Sequence, residues 1–158
     1  MRIWRISNFA DLSGRGGTLV DGRWSRRGMP IVCCTDHPST ALLEILVHAT
    51  RETVPETYQL IEIDVPDGIE MTEPVIHDDW DKDMESTRRQ GTDFLSANRC
   101  ALMKIPSIIM RKANNYLLNP THDDASRITI AGLYRYPFDS RFDQMSRRLP
   151  AHIEKSKR

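Results

Sequence analysis

From Tyr58 to Val65 the side chains alternate in kind: Ile61, Ile63 and Val65 fall to one side, Glu62 and Asp64 to the other. A period of two demands an extended strand with one covered face, and Pro66-Asp67-Gly68 supplies the turn that ends it. Such a strand needs sheet partners elsewhere in the chain. Arg2 to Ile6, Pro30 to Thr35, Ala101 to Ile105 with a resumption at Ile108 to Met110, and Ile128 to Tyr136 are the candidates, being short, apolar and rich in β-branched or aromatic residues. Asp36 with Pro38 predicts the start of a helix over Ser39 to Ala49, with Leu42, Leu43, Leu46 and Val47 on its apolar face. A second helix is expected from Thr87 to Ala97, and Asn114 to Pro120 reads as a turn. Strands and helices mix irregularly instead of alternating. This predicts an α+β fold, mainly antiparallel sheets with flanking helices, over a doubly wound one. The absence of G-x-G-x-x-G after a strand also counts against a Rossmann-type site.

The chain has 158 residues, enough for one domain, with Ser146 to Arg158 expected as a frayed basic tail. Lys plus Arg and Asp plus Glu both number 22, so the basic surplus of a general nucleic-acid binder is missing. No apolar run is long enough to span a bilayer. The opening Met1-Arg2-Ile3-Trp4-Arg5-Ile6 has no leader-like apolar stretch, and three cysteines make an odd count. Together these predict a cytoplasmic chain with reduced thiols. Cys33 and Cys34 read as small buried strand residues rather than nucleophiles. His77, Asp78, Asp79, Asp81 and Asp83 lack regular ligand spacing and read as a solvated acidic loop, so no metal is expected.

A set of short motifs runs through this frame in order. Gly22-Arg23-Trp24 precedes Gly28. After the strand come Ala41-Leu42-Leu43-Glu44 and Val47-His48. Ile105-Pro106-Ser107, Asn115-Tyr116-Leu117-Leu118-Asn119-Pro120 and His122 follow, and Phe138-Asp139-Ser140-Arg141 closes the series. In order and spacing the set resembles the RES domain of bacterial toxin–antitoxin pairs. That resemblance implies a fold similar to ADP-ribosyltransferase toxins. It implies NAD as substrate rather than cofactor, either degraded or used to transfer ADP-ribose to a protein. It also implies an Xre-like helix-turn-helix antitoxin as partner, with a homo-oligomer as one arrangement. The Arg, Glu and Ser for which the family is named fall on Arg23, Glu44 and Ser107. Two positions depart from the family's pattern: Cys33 stands where a Tyr is common, and Ser25 where Asn is common.

The chemistry of NAD suits these residue types. Nicotinamide leaves as a neutral molecule, and the ribose carbon it leaves becomes electron-poor. A fixed carboxylate beside that carbon stabilises the transition state more than the ground state; Glu44 is the candidate. The planar guanidinium of Arg23 matches two phosphate oxygens, and Gly22 admits close backbone approach. Ser107 either donates to a phosphate or ribose oxygen or is structural. Cys33 and Asn119 are further candidate substrate contacts by motif position. Asn115, Asn119 and His122 either reach the pocket or, the favoured reading, tie down a turn, His48 either pairs with Glu44 or ends its helix, and Arg26-Arg27 extend the phosphate patch or are solvated. A catalytically weak, antitoxin-binding regulatory module is the reading from another class.

Overall fold

The computed structural model of the protein describes residues 1–48, 56–139 and 141. Ala49, Ser140 and the tail from Ser146 therefore lie outside the described residues. Within them, seven strands form one sheet: β1 (Arg2–Ile6), β2 (Val32–Thr35), β3 (Thr57–Asp64), β4 (Met71–Thr72), β5 (Leu102–Pro106), β6 (Asn114–Leu118) and β7 (Thr129–Pro137), in the order β4-β5-β6-β2-β1-β3-β7. Only β4 and β5 run parallel. Three helices accompany the sheet: the short α1 (Arg15–Leu19), α2 (Pro38–Leu46) and α3 (Met84–Ala97). The α+β expectation with mainly antiparallel pairing holds.

The alternating segment is β3, and its register with β1 and β7 puts Ile61 and Ile63 in the core with Ile3, Val32, Cys34 and Leu118. A second apolar cluster occupies the other face of the β5–β6 half. There Met103, Ile105 and Leu117 meet Trp24, Ile31, Phe94 and Leu95. The β5–β6 half of the sheet is thus covered on both faces, with Leu102, Tyr116 and Leu118 on one side and Met103, Ile105 and Leu117 on the other.

Two segments differ from expectation. Asn114 to Leu118 is a strand, because β6 lies between β2 and β5 and gives its backbone to both. Sheet context outweighs the turn preference of its asparagines. Ile108 to Met110 forms bends instead of a resumed strand: Ser107 Oγ accepts the Met110 amide at 3.1 Å and turns the chain away from β5. The cap of α2 is also shifted by one. His37 Nδ1 accepts the Ser39 amide at 3.2 Å. Asp36 Oδ2 instead accepts the Asn114 amide at 2.7 Å, which ties the start of α2 to β6.

β1 and β2 meet at a single pair, Trp4 with Thr35. Continuing that register would set Arg5 opposite Cys34 and Ile6 opposite Cys33, but the strands part there. β1 is otherwise paired along its whole length with β3, and β2 with β6. The sheet is therefore two ladders joined at one point.

Candidate functional site

A cavity of about 710 Å³ opens where the two ladders diverge. Trp4, Arg5 and Ile6 of β1 form one wall, and Cys33 to Thr35 of β2 another. The loop Asp21 to Ser25, the helix α2, Arg88 of α3 and Asn115 of β6 complete it.

α2 lines this cavity with Ala41, Glu44 and Ile45, and the two residues beyond its end, Val47 and His48, continue the wall. This corrects the expected apolar face: of its four residues only Val47, 56% exposed, reaches the cavity, and Leu42, Leu43 and Leu46 are only partly covered. Glu44 is thus at the centre of the working face. Asn115 Nδ2 donates to Glu44 Oε1 at 2.7 Å, and the Ser107 hydroxyl donates to the same oxygen at 3.4 Å. A carboxylate only accepts, so the Asn115 amide must turn its nitrogen to Glu44. Its Oδ1 is then left buried with no hydrogen-bond partner. An orphaned acceptor of this kind costs about 1–3 kcal/mol.

Arg23 lines the same cavity. The loop that carries it is held by α3, residue against residue. Arg88 Nε donates to the Gly22 carbonyl at 2.9 Å and Thr87 Oγ1 to the Arg23 carbonyl at 3.1 Å, while Thr92 Oγ1 accepts the Arg26 amide at 3.1 Å. Between them, Gly91 sits so close that an added Cβ would fall 1.8 Å from the Trp24 carbonyl oxygen. Only the hydrogen of glycine fits. Trp24, buried, stacks obliquely on Trp80 with ring centroids 6.0 Å apart. The Arg23 Nη1 donates to the Asp81 carbonyl at 3.0 Å.

The structure brings Arg23, Glu44, Gly22 and Cys33 to one cavity, with Ser107 directly beneath it. Ser107 is fully buried and does not line the cavity; its hydroxyl serves Glu44 and the Met110 amide. Cys33 is exposed to the cavity, not buried as expected, because the side of β2 it points to faces the cleft. The surrounding protein pushes its thiol up from the ordinary value, Arg5 works against this, and Glu44 adds to it. Cys34, on the opposite face, is pushed up to about 12 by burial.

Asn119 is not brought there. It is 1% exposed, and its Nδ2 donates to the Leu95 carbonyl at 3.2 Å and to Asn98 Oδ1 at 2.8 Å. Its Oδ1 accepts from the amide and hydroxyl of Thr121. The side chain is fully used in joining the end of α3 to the chain after β6, so the expected substrate contact is replaced by a structural one. His122 caps the 3-10 turn Asp123–Arg127 by accepting the Asp124 amide. His48 lines the cavity. Arg26 is ion-paired with Glu85 at the surface. In the acidic segment, Asp79 pairs with Lys82, Asp81 with Arg111, and Asp83 caps α3. Among the described residues no three potential metal ligands converge.

Sequence reasoning missed Asn115 as the partner of Glu44, and it missed the α3 clamp with Arg88. The available signal for the clamp was Thr87 and Gly91, four apart, with a glycine inside a helical segment.

Comparison with known proteins agrees with this architecture. The family described as RES domain matches residues 2–139. "Toxin Res" of Pseudomonas putida is 41% identical over 133 residues, covering 82% of this chain and 92% of that protein. "Prs ADP-ribosylating toxin" of Sphingobium sp. is 31% identical over 152 residues, covering 88% and 94%. Among solved structures, the crystal structure of the M. tuberculosis MbcT-MbcA toxin-antitoxin complex superposes with a TM-score of 0.71 at 14% identity, over 92% of this chain and 88% of that one. This last likeness concerns the fold.

Proposed function

The chain belongs to the RES-domain family, and from that premise we propose that it is the toxin of a toxin–antitoxin pair and cleaves the nicotinamide–ribose bond of NAD. The observation that carries this reading is the shared cavity: Arg23 and Glu44 line one cleft, and Glu44 is held there by Asn115.

The bond between the ribose anomeric carbon and the nicotinamide nitrogen breaks, and its electron pair goes to the nicotinamide, which leaves neutral. The carbon left behind carries developing positive charge. Glu44, already oriented by two donors, stabilises that charge without reorganising at the moment of reaction. Arg23 holds the pyrophosphate. Water then adds to the carbon and loses a proton, giving ADP-ribose; inorganic phosphate gives ADP-ribose 1″-phosphate instead. Cys33 serves in this reading as part of the cleft wall.

One relative supports a second acceptor. The Sphingobium protein is named an ADP-ribosylating toxin, and the same cleft would serve transfer of ADP-ribose to a protein. The resemblance also supports an Xre-like antitoxin that covers the cleft and a cytoplasmic site of action; no helix among the described residues is long and apolar enough to cross a membrane.

Incubation of the pure protein with NAD, with and without phosphate, followed by mass identification of products, tests the reading. Released nicotinamide with ADP-ribose or its phosphate is expected. Intact NAD in both conditions with folded protein refutes cleavage, and label from NAD retained on a cellular protein favours the transferase reading.

A further inference from the structure

The charge balance of the cavity is unlike that of the chain. Three arginines line it, Arg5, Arg23 and Arg88, against two carboxylates, Asp21 and Glu44. In a chain with formal net charge of zero, this is a local surplus of cations. Elsewhere arginines are held by acids: Arg2 by Glu62 and Asp64, Arg111 by Asp81, Arg127 by Asp124. Those lining the cavity are held by backbone carbonyls instead, and Arg5 at the other wall reaches the Asp11 carbonyl at 3.5 Å. Arg23 is fixed through Nη1 to the Asp81 carbonyl, and Arg88 through Nε to the Gly22 carbonyl.

That difference has a physical meaning. A carbonyl oxygen orients a guanidinium without cancelling its charge, whereas a carboxylate does both. Arg23 and Arg88 are therefore pre-aimed and, among the described residues, have no ion-pair partner. The two are also anchored to one loop, since Arg88 bonds the carbonyl of Gly22, the residue just before Arg23. The nearest competing acid on the loop, Asp21, is exposed and spends Oδ1 on the Arg27 amide at 2.7 Å. Arg88 also places Nη2 3.3 Å from Met84 Sδ, and among the described residues no acceptor meets its Nη1.

The geometry points to Arg88 as the second jaw of a two-guanidinium clamp, with Arg23 as the first, that selects ligands carrying a pyrophosphate over phosphate-free nicotinamide nucleosides. A pyrophosphate presents oxygens on two linked phosphorus atoms, and two oriented guanidinium groups meet it at little ordering cost. The inference rests on NAD binding in this cleft and names which part of the ligand the α3 end recognises.

Equilibrium binding of ADP-ribose and of nicotinamide riboside to the full chain tests it, with wild type, Arg88→Gln and Arg88→Lys compared. Gln keeps a donor for the Gly22 carbonyl and removes the charge; Lys keeps the charge. Arg88→Gln is expected to weaken ADP-ribose by about 10- to 100-fold, the scale of one charge-assisted hydrogen bond, and to leave the riboside within about twofold. Arg88→Lys is expected to recover part of the loss. Equal losses for both ligands, no loss for ADP-ribose, or failure of the wild type to bind ADP-ribose overturns the clamp. Binding is read apart from chemistry. Arg88-dependent affinity without NAD cleavage would uphold the clamp and refute the reaction, and cleavage with indifference to Arg88 would do the reverse.

Discussion

Asn115 Nδ2 lies 2.7 Å from Glu44 Oε1, so a central strand fixes the carboxylate of a helix above it. The hydrogen bond joins β6, which has partners on both sides, to the one acid on the cavity face of α2. Replacing Glu44 by Gln keeps the shape of this contact and removes the charge. Turnover of NAD is expected to fall by about 100-fold or more with KM changed little, the signature of a group that acts on the transition state. Steady-state kinetics decide it, and wild-type turnover in Glu44→Gln contradicts the assignment.

Asn115 and Ser107 both donate to Glu44, but at different lengths. The 2.7 Å bond is strong and the 3.4 Å bond is near the limit. Asn115→Ala is therefore expected to lower kcat by about 10- to 100-fold, and Ser107→Ala by no more than about fivefold. The reverse ranking would make Ser107 the principal support of the acid.

Gly91→Ala tests the seating of α3 on the arginine loop. In an unstrained helix interior this change stabilises by about 1 kcal/mol. Here the new methyl meets a backbone carbonyl at 1.8 Å, so a loss of about 2 kcal/mol or more is expected, together with weaker NAD binding. Thermal or urea unfolding gives the sign directly.

Asn119→Ala is expected to cost about 2–4 kcal/mol of stability, because it strands the buried partners at the end of α3. KM for NAD in the folded fraction should be unchanged. A selective rise in KM would return Asn119 to the substrate.

The Cys34 thiol gives a pH test. Its pKa in the folded protein is raised to about 12 from the model-compound value of 9.0 by burial. Between these values the unfolded chain loses its thiol proton and the folded chain keeps it, so stability falls as pH rises through that window. Cys34→Val is expected to lessen the slope of unfolding free energy against pH above about 9 and leave it unaltered near neutrality.

Much of this was legible in the chain, for reasons that differ by element. The period of two in β3 survives because one of its faces is core and the other polar. The motifs from Gly22 to Glu44 located the loop and helix that wall the cleft, since each keeps its own local chemistry, whereas Asn119 and His122 of the same series lie away from it. β6 was hidden because Asn114, Asn115 and Asn119 signal turns, while two flanking strands impose extension from outside the segment. Asn115 was obscured for the same reason: only the pairing of Cys33 with Leu117 and Thr35 with Asn115 tells which side of β6 faces the cleft. The apolar face of α2 was misplaced because leucines marked it, whereas the face used for function is the one carrying Glu44. The clamp by α3 joins residues more than 60 positions apart, and no local pattern encodes such a meeting.

The single Trp4–Thr35 junction leaves β1 with a border that lies inside the protein rather than at its rim. Main-chain groups of a strand border ordinarily invite foreign strands to align, and proteins blunt that hazard with charge or proline. Here depth does the work: beyond Trp4 the border recedes into a concave space walled by a helix and a loop, which a small ligand can enter but a flat strand cannot lie against. The split that makes room for a substrate thereby keeps its own unpaired backbone out of aggregation's reach.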